Sequence, residues 1–149
     1  VVAVMKLEKQ RTFIIKTEKK AVGKSVQNTV IFTVGSVGYS LIEILWRGYT
    51  HWSMTITGGV CLVVLYRLYS NMPQKCLFKK CLTGAVVITG IEFIVGCIVN
   101  LWWQMNVWDY SFLPFNVLGQ ICLPYSILWG LLSLPICGIC NHLKGKFSK

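Results

Sequence analysis

Residues 81–103 read CLTGAVVITGIEFIVGCIVNLWW. One carboxylate, Glu92, interrupts a stretch otherwise free of charge. At roughly 20 residues it is long enough to cross the hydrocarbon of a bilayer as a helix. Stretches 26–46, 52–70 and 121–140 read the same way, so four spans take up most of the 149 residues. A soluble bundle would need charged stripes at helical spacing on its outer faces, and these stretches have none. With 54% hydrophobic residues, a mean hydropathy of +0.59 and five acidic side chains, a water-facing surface would be hard to assemble. The expectation is an all-α, integral membrane four-helix bundle over 26–140, multi-pass in the cell membrane. A basic leader (1–25) and a basic tail (141–149) flank it.

Fifteen Lys and Arg against five acids raise the question of nucleic acid, but their placement answers it. Lys6, Lys9, Arg11, Lys16, Lys19, Lys20 and Lys24 precede the first span. Arg67 ends the second, Lys75, Lys79 and Lys80 lie between the second and third, and Lys144, Lys146 and Lys149 form the tail. Only Arg47 falls on the other side. The positive-inside rule therefore places both termini in the cytoplasm, with membrane lipid rather than nucleic acid as the partner of this charge. Trp46, Tyr49, Trp52, Trp102, Trp103, Trp108 and Tyr110 gather at the opposite ends, where amphipathic rings settle among headgroups. A weak helical pattern through Val4, Leu7, Phe13 and Ile14 lets the leader lie on the inner leaflet. The first apolar run follows this charged leader and is too long for a signal core, so no cleaved signal is expected. VGKS (22–25) ends like a phosphate-binding loop, but Glu18 occupies the position of its first glycine.

Carboxylates immersed in hydrocarbon cost several kcal/mol unless protonated or partnered, so Glu43 and Glu92 should face the bundle interior or a wet cavity. Arg47 follows Glu43 by four residues on the same helical face, and His51 lies just beyond, giving an outer cluster of Glu43, Arg47 and His51. Two readings stay open. In one, these acids carry transport or proton relay. In the other, Glu43 and Arg47 neutralise each other while Glu92 bonds a neighbour such as Asn100, Gln120 or a tryptophan indole. The seven cysteines fall within spans or on the cytoplasmic side and imply no disulfide framework. Cys137 and Cys140 form a C-x-x-C like that of quinone-linked thiol oxidases, though at the cytoplasmic rather than the oxidising end, and Asn141 separates the pair from the histidine of a haem-attachment motif. As small apolar residues they also serve simply to pack helices. No cofactor and no metal site is expected.

Landmarks recur along the chain. Gly35 precedes Glu43 by eight residues and Gly84 precedes Glu92 by eight, each acid in an "IE" pair, and GGVCL (58–62) is echoed by GQICL (119–123). A parallel repeat of two-helix hairpins about the membrane normal would produce this order and set the two glutamates face to face. The second copy carries an insertion that coincides largely with WDYSFLPFNVLGQ (108–120). Pro114 has no backbone donor and disfavours the α region for Leu113, so no helix runs through here. Asp109, Ser111 and Asn116 can bond nearby backbone, predicting an ordered turn at the outer interface, either a plain interfacial loop or a lid.

Several motifs carry a family resemblance: THWSM (50–54), GG (58–59), EF (92–93), GCIVN (96–100), VWDYSFLPFNVLGQICLPYS (107–126) and LW (128–129). From about Gly38 to Leu132 the chain resembles the ABC-transporter type IV (CmpB-like) family of small bacterial membrane proteins, with the leader and the tail CGICNHLKGKFSK outside the likeness. The resemblance implies a permease-like protein and points to Glu92, Asp109, Tyr110, Asn116, Gly119 and Gln120, together with His51 and Trp52. The chain has no ATP-binding motif, so any ATPase would be a separate subunit, and at 16.9 kDa enclosing a pathway would require a homo-oligomer or other membrane subunits. The function expected is movement of a small solute or ion, not enzyme chemistry, with working groups in the outer half around Glu43, Glu92, Asp109 and Gln120. Its rivals are a non-transporting assembly or regulatory subunit and a membrane thiol oxidoreductase.

Overall fold

A computed structural model describes residues 2–148, with side chains for 5–148. Val4 of the leader pattern and Lys149 of the tail charges lie outside the described side chains. Four helices make the fold: α1 (Val2–Arg47), α2 (Trp52–Ser70), α3 (Leu77–Gly96) and α4 (Leu123–Phe147). All four are long and apolar enough to cross a membrane. The chain divides into two compact units, residues 1–30 and 31–149.

In the first unit the backbone is helical from Val2 onward and the side chains from Met5 to Val26 are exposed. The leader thus continues as helix where the sequence reading starts its first span at 26. Its Lys, Glu, Gln and Ala are good helix formers, and no proline occurs before Pro73 to stop it. Thr12 and Thr17 cap nothing but return their hydroxyls to Glu8 O and Phe13 O, each at 2.9 Å.

In the second unit α1 ends at Gly48, whose φ of +80° and bond to Ile44 O (2.8 Å) make the left-handed cap that glycine accepts without strain. Residues Gly35, Gly58 and Gly59 then bring α1 and α2 close together. A Cβ on Gly35 would lie 2.5 Å from Gly58 O, and one on Gly59 would lie 2.6 Å from both the Phe32 ring and Ser36 Oγ. Small residues permit this approach, and dispersion across the closed gap supplies the attraction where lipid leaves no hydrophobic driving force. Gly84 does the same for α3, packed on Ser133 of α4 and the Tyr69 hydroxyl. Ile31, Leu65, Tyr69 and Ile88 fill the centre between them. At one end Lys144 Nζ reaches Ser70 O (2.9 Å) and the amides of Gln74 and Asn141 exchange bonds (3.0 and 3.1 Å), fixing α4 against the α2–α3 turn.

Beyond Gly96 the third helix widens into a π-helical stretch, Cys97–Trp102, before breaking. The segment up to Leu123 is irregular except for β1 (Asn116–Val117) and β2 (Ile121–Cys122), paired antiparallel with Asn116 opposite Cys122. This two-residue ladder is the departure from an all-α fold among the described residues. Leu118 and Gly119, with φ of +52° and +66°, form its turn, closed by Gln120 N to Val117 O at 3.0 Å. Pro124 stands in the first turn of α4, where a missing N–H costs nothing.

Candidate functional site

Glu92 projects from near the C-terminal end of α3, one turn before the π-helical stretch, into the bundle and is 2% exposed. Tyr39 of α1 donates its hydroxyl to one carboxylate oxygen (2.6 Å) and Trp129 of α4 donates its indole N–H to the other (2.7 Å). The Tyr39 and Trp129 rings stack with centroids 5.7 Å apart, so the two donors brace each other. Both donors are neutral. Three helices therefore meet on one carboxylate that has no ion-pair partner among the described residues. The sequence reading anticipated an indole partner but not which one, and Tyr39 was missed. Its only signal is a phenol in mid-span, away from the headgroup belt where tyrosine usually lies.

Glu43 and Arg47 form the ion pair that their spacing predicts. Arg47 also donates Nη1 to Val107 O (3.0 Å), lies over the Tyr49 ring (4.9 Å), and leaves its buried Nε without an acceptor among the described residues. His51 does not bond this pair. It caps α2, its Nδ1 2.7 Å from Ser53 Oγ and accepting from Ser53 N (3.3 Å), and its ring packs on Trp52, which in turn meets Trp103.

Asn100 and Gln120 do come together, though not on Glu92. The π-helical stretch buries Asn100, whose amide donates to Gln120 Oε1 (2.8 Å) and Trp108 O (3.0 Å) and accepts from Val107 N (2.7 Å). Trp108 Nε1 returns to Gln120 O (2.9 Å), and Gln120 Nε2 to Leu118 O (2.9 Å). Gly96 makes room, since a Cβ there would stand 2.7 Å from Gln120 Oε1. The result is a buried polar knot under the loop.

Above the knot, Asp109, Tyr110, Asn116 and Gly119 are spent on the loop itself. Asp109 accepts from the amide (2.8 Å) and hydroxyl of Ser111, and those bonds hold its exposed carboxyl below the ordinary range. Asn116 spans the turn, donating to Leu113 O (2.8 Å) and Ser111 O (3.2 Å) and accepting from Gly119 N (3.2 Å). Tyr110 N bonds Gly119 O (2.8 Å), and the Tyr110 ring stacks on Tyr125 (4.7 Å). Burial raises the Tyr110 phenol well above its ordinary value, so it stays neutral. Cys137 and Cys140 are 3% and 2% exposed, both as free thiols.

Two cavities open beside this framework. One of about 180 Å³ is apolar, between α1 and α4 over a floor from α2 and α3. The second, about 220 Å³, is lined by Glu43, Arg47, Trp46, Tyr110 and Tyr125, and shares Ile42, Trp129 and Leu132 with the first. A family model described as "Putative ABC-transporter type IV" matches residues 30–148. This extends the likeness past Gly38–Leu132 and takes in most of the tail that the motif comparison left outside. No solved structure matches the chain.

Proposed function

The chain belongs to the ABC-transporter type IV family, and from that premise we propose that it forms the membrane-spanning, permease-like part of a system moving a small solute or ion, with Glu92 as its coupling residue. The observation that carries this reading is the Glu92 carboxylate, dry, central, and held only by neutral donors from α1 and α4. A group that changes charge in such a place changes the energy of the whole bundle, which is how intramembrane acids drive relays. Its two partners respond differently to a proton. Indole can only donate, so Trp129 requires one oxygen to remain an acceptor, whereas the Tyr39 hydroxyl can reverse and accept from a protonated Glu92. Proton gain is thereby read by α1 and ignored by α4. The Glu43–Arg47 pair, tied to Val107 O, would pass a shift of α1 to the loop.

Both termini lie in the cytoplasm on this reading, where a separate ATPase subunit and further copies or other membrane subunits complete the system. The parallel hairpin repeat is retained as part of the proposal, supported by the matching use of Gly35 and Gly84 at close helix crossings. The rival, a non-transporting assembly subunit, draws support from the loop motif, whose polar groups bond one another rather than face a path. Burial of Cys137 and Cys140 withholds the exposed dithiol that a thiol oxidoreductase needs.

The test is Glu92→Gln, which keeps an acceptor oxygen but cannot titrate. The expected result is normal insertion and helical content with loss of proton flux in proteoliposomes holding a trapped pH dye. Wild-type flux in the variant would overturn the coupling role.

A further inference from the structure

We infer that the turns of residues 110–120 are a lipid anchor: Phe112, Phe115 and Leu118 enter the acyl boundary of the leaflet at their end of the bundle, with Asp109 left among the headgroups. An anchor of this kind holds whether or not the chain transports.

Phe112, Phe115 and Leu118 are 81%, 79% and 64% exposed. Phe115 and Leu118 also stand at φ of +54° and +52°, a region that glycine or asparagine occupies at least cost. A turn built only to reverse the chain has no use for bulky apolar residues there. Around them Asp109 is the only formal charge between residues 103 and 122.

The backbone of these turns is equipped to leave water. Irregular backbone at membrane depth has to find its hydrogen-bond partners within the protein. The carbonyls of Tyr110, Val117 and Gly119 accept from Leu113 N, Gln120 N and Tyr110 N. Those of Ser111 and Leu113 accept from the Asn116 amide, and that of Leu118 from Gln120 Nε2. A protein partner would find few carbonyls left for the directed bonds such interfaces carry. Lipid tails require none.

Continuity with the membrane boundary decides the occupant. Trp46, Trp52, Trp102 and Trp103, all exposed, lie at the same ends of the helices. Trp46 Nε1 donates to the Tyr125 hydroxyl (3.2 Å), Tyr125 stacks on Tyr110, and the Trp52 ring meets Trp103. The turns are thus joined to the aromatic belt by direct contact. Tryptophan and tyrosine stay at the headgroups because each has a polar atom to keep wet, whereas phenylalanine and leucine have none and settle among the acyl chains. With no cation on the turns, nothing in them selects anionic lipid.

The experiment reconstitutes the full chain in phosphatidylcholine vesicles with p-benzoylphenylalanine in place of Phe112, or of Phe115, and reads adduct masses after irradiation. Val86, exposed on α3 within a span, carries the same group as the lipid-facing reference. The expected result is an adduct of one phosphatidylcholine at both loop positions, as at Val86. Phospholipase C should trim it to the diacylglycerol mass, and its yield should not change when phosphatidylglycerol is mixed in. Circular dichroism checks folding, and Leu118 takes the place of a position whose variant does not fold. Loss of the lipid adduct at the folded loop positions, adducts with the mass of a second copy instead, or lipid adducts formed only with phosphatidylglycerol present would each overturn the anchor. Proton flux is not read, so the outcome is independent of the Glu92 test.

Discussion

Replacing Asn100 with Ala should loosen the loop of residues 103–122 far more than any change within the loop itself. Asn100 makes three hydrogen bonds: to Gln120 Oε1 at 2.8 Å, to Trp108 O at 3.0 Å and from Val107 N at 2.7 Å. Val107, Trp108 and Gln120 are 7%, 7% and 4% exposed, so water does not replace what the amide provided. Leaving a buried polar group unmade costs about 1–3 kcal/mol, and three such groups sum to about 3 kcal/mol at the low end. That is roughly a hundredfold in the equilibrium between closed and open loop. Asn100→Asp should be worse, because it keeps the acceptor for Val107 N but turns a second oxygen toward Gln120 Oε1 and Trp108 O. The measurement is equilibrium unfolding in mixed micelles, followed by tryptophan emission, with hydrogen exchange at the Val107 amide reporting the loop alone. A shift for Asn100→Ala below about 0.5 kcal/mol, within the range of ordinary surface changes, would refute the assignment of the knot as the loop's anchor.

Gly84→Val should destabilise the bundle by about 1–3 kcal/mol or more through collision with Ser133 and the Tyr69 hydroxyl, and the same unfolding assay compares it with Gly90→Ala, which meets open space and should be neutral or slightly stabilising. For Asp109 the sign follows from its depressed folded value. The bonds from Ser111 stabilise the loop above the ordinary carboxyl value of 3.8 and are lost as pH falls through the lower folded value. The protection of the wild-type Val107 amide, taken relative to intrinsic amide exchange at each pH, should therefore fall in strong acid, and Asp109→Asn should remove that change in protection.

Much of the fold was legible because a bilayer imposes it. Spans placed at 52–70 and 81–103 match α2 and α3 with its π-helical extension, since length and apolarity leave little freedom. The turn at Pro114 was equally forced by a missing donor. The ends of α1 and α4 were not legible. Charge marks where a chain leaves lipid, not where it stops being helical, and the Lys-rich leader and tail are good helix formers. Nor was the π-helical stretch, which nothing in CIVNLW announces.

The longest motif turned out to hold a loop together, while Glu92 depends on Tyr39, which no motif includes, and on Trp129, whose LW motif carries no sign of the contact. The reason is physical. Asp109, Ser111, Asn116 and Gly119 bond neighbours a few residues away, so their spacing is itself the interaction and shows in the sequence as a motif. Tyr39 and Trp129 reach Glu92 across 53 and 37 positions, on two other helices, and any tyrosine or tryptophan in mid-span would have looked the same. Local hydrogen bonding leaves a spacing to be read, whereas contacts between helices leave only residue types. An immersed carboxylate therefore says that donors must be found, and only the packing of glycines at 35, 58 and 84 decides which helices come near enough to supply them.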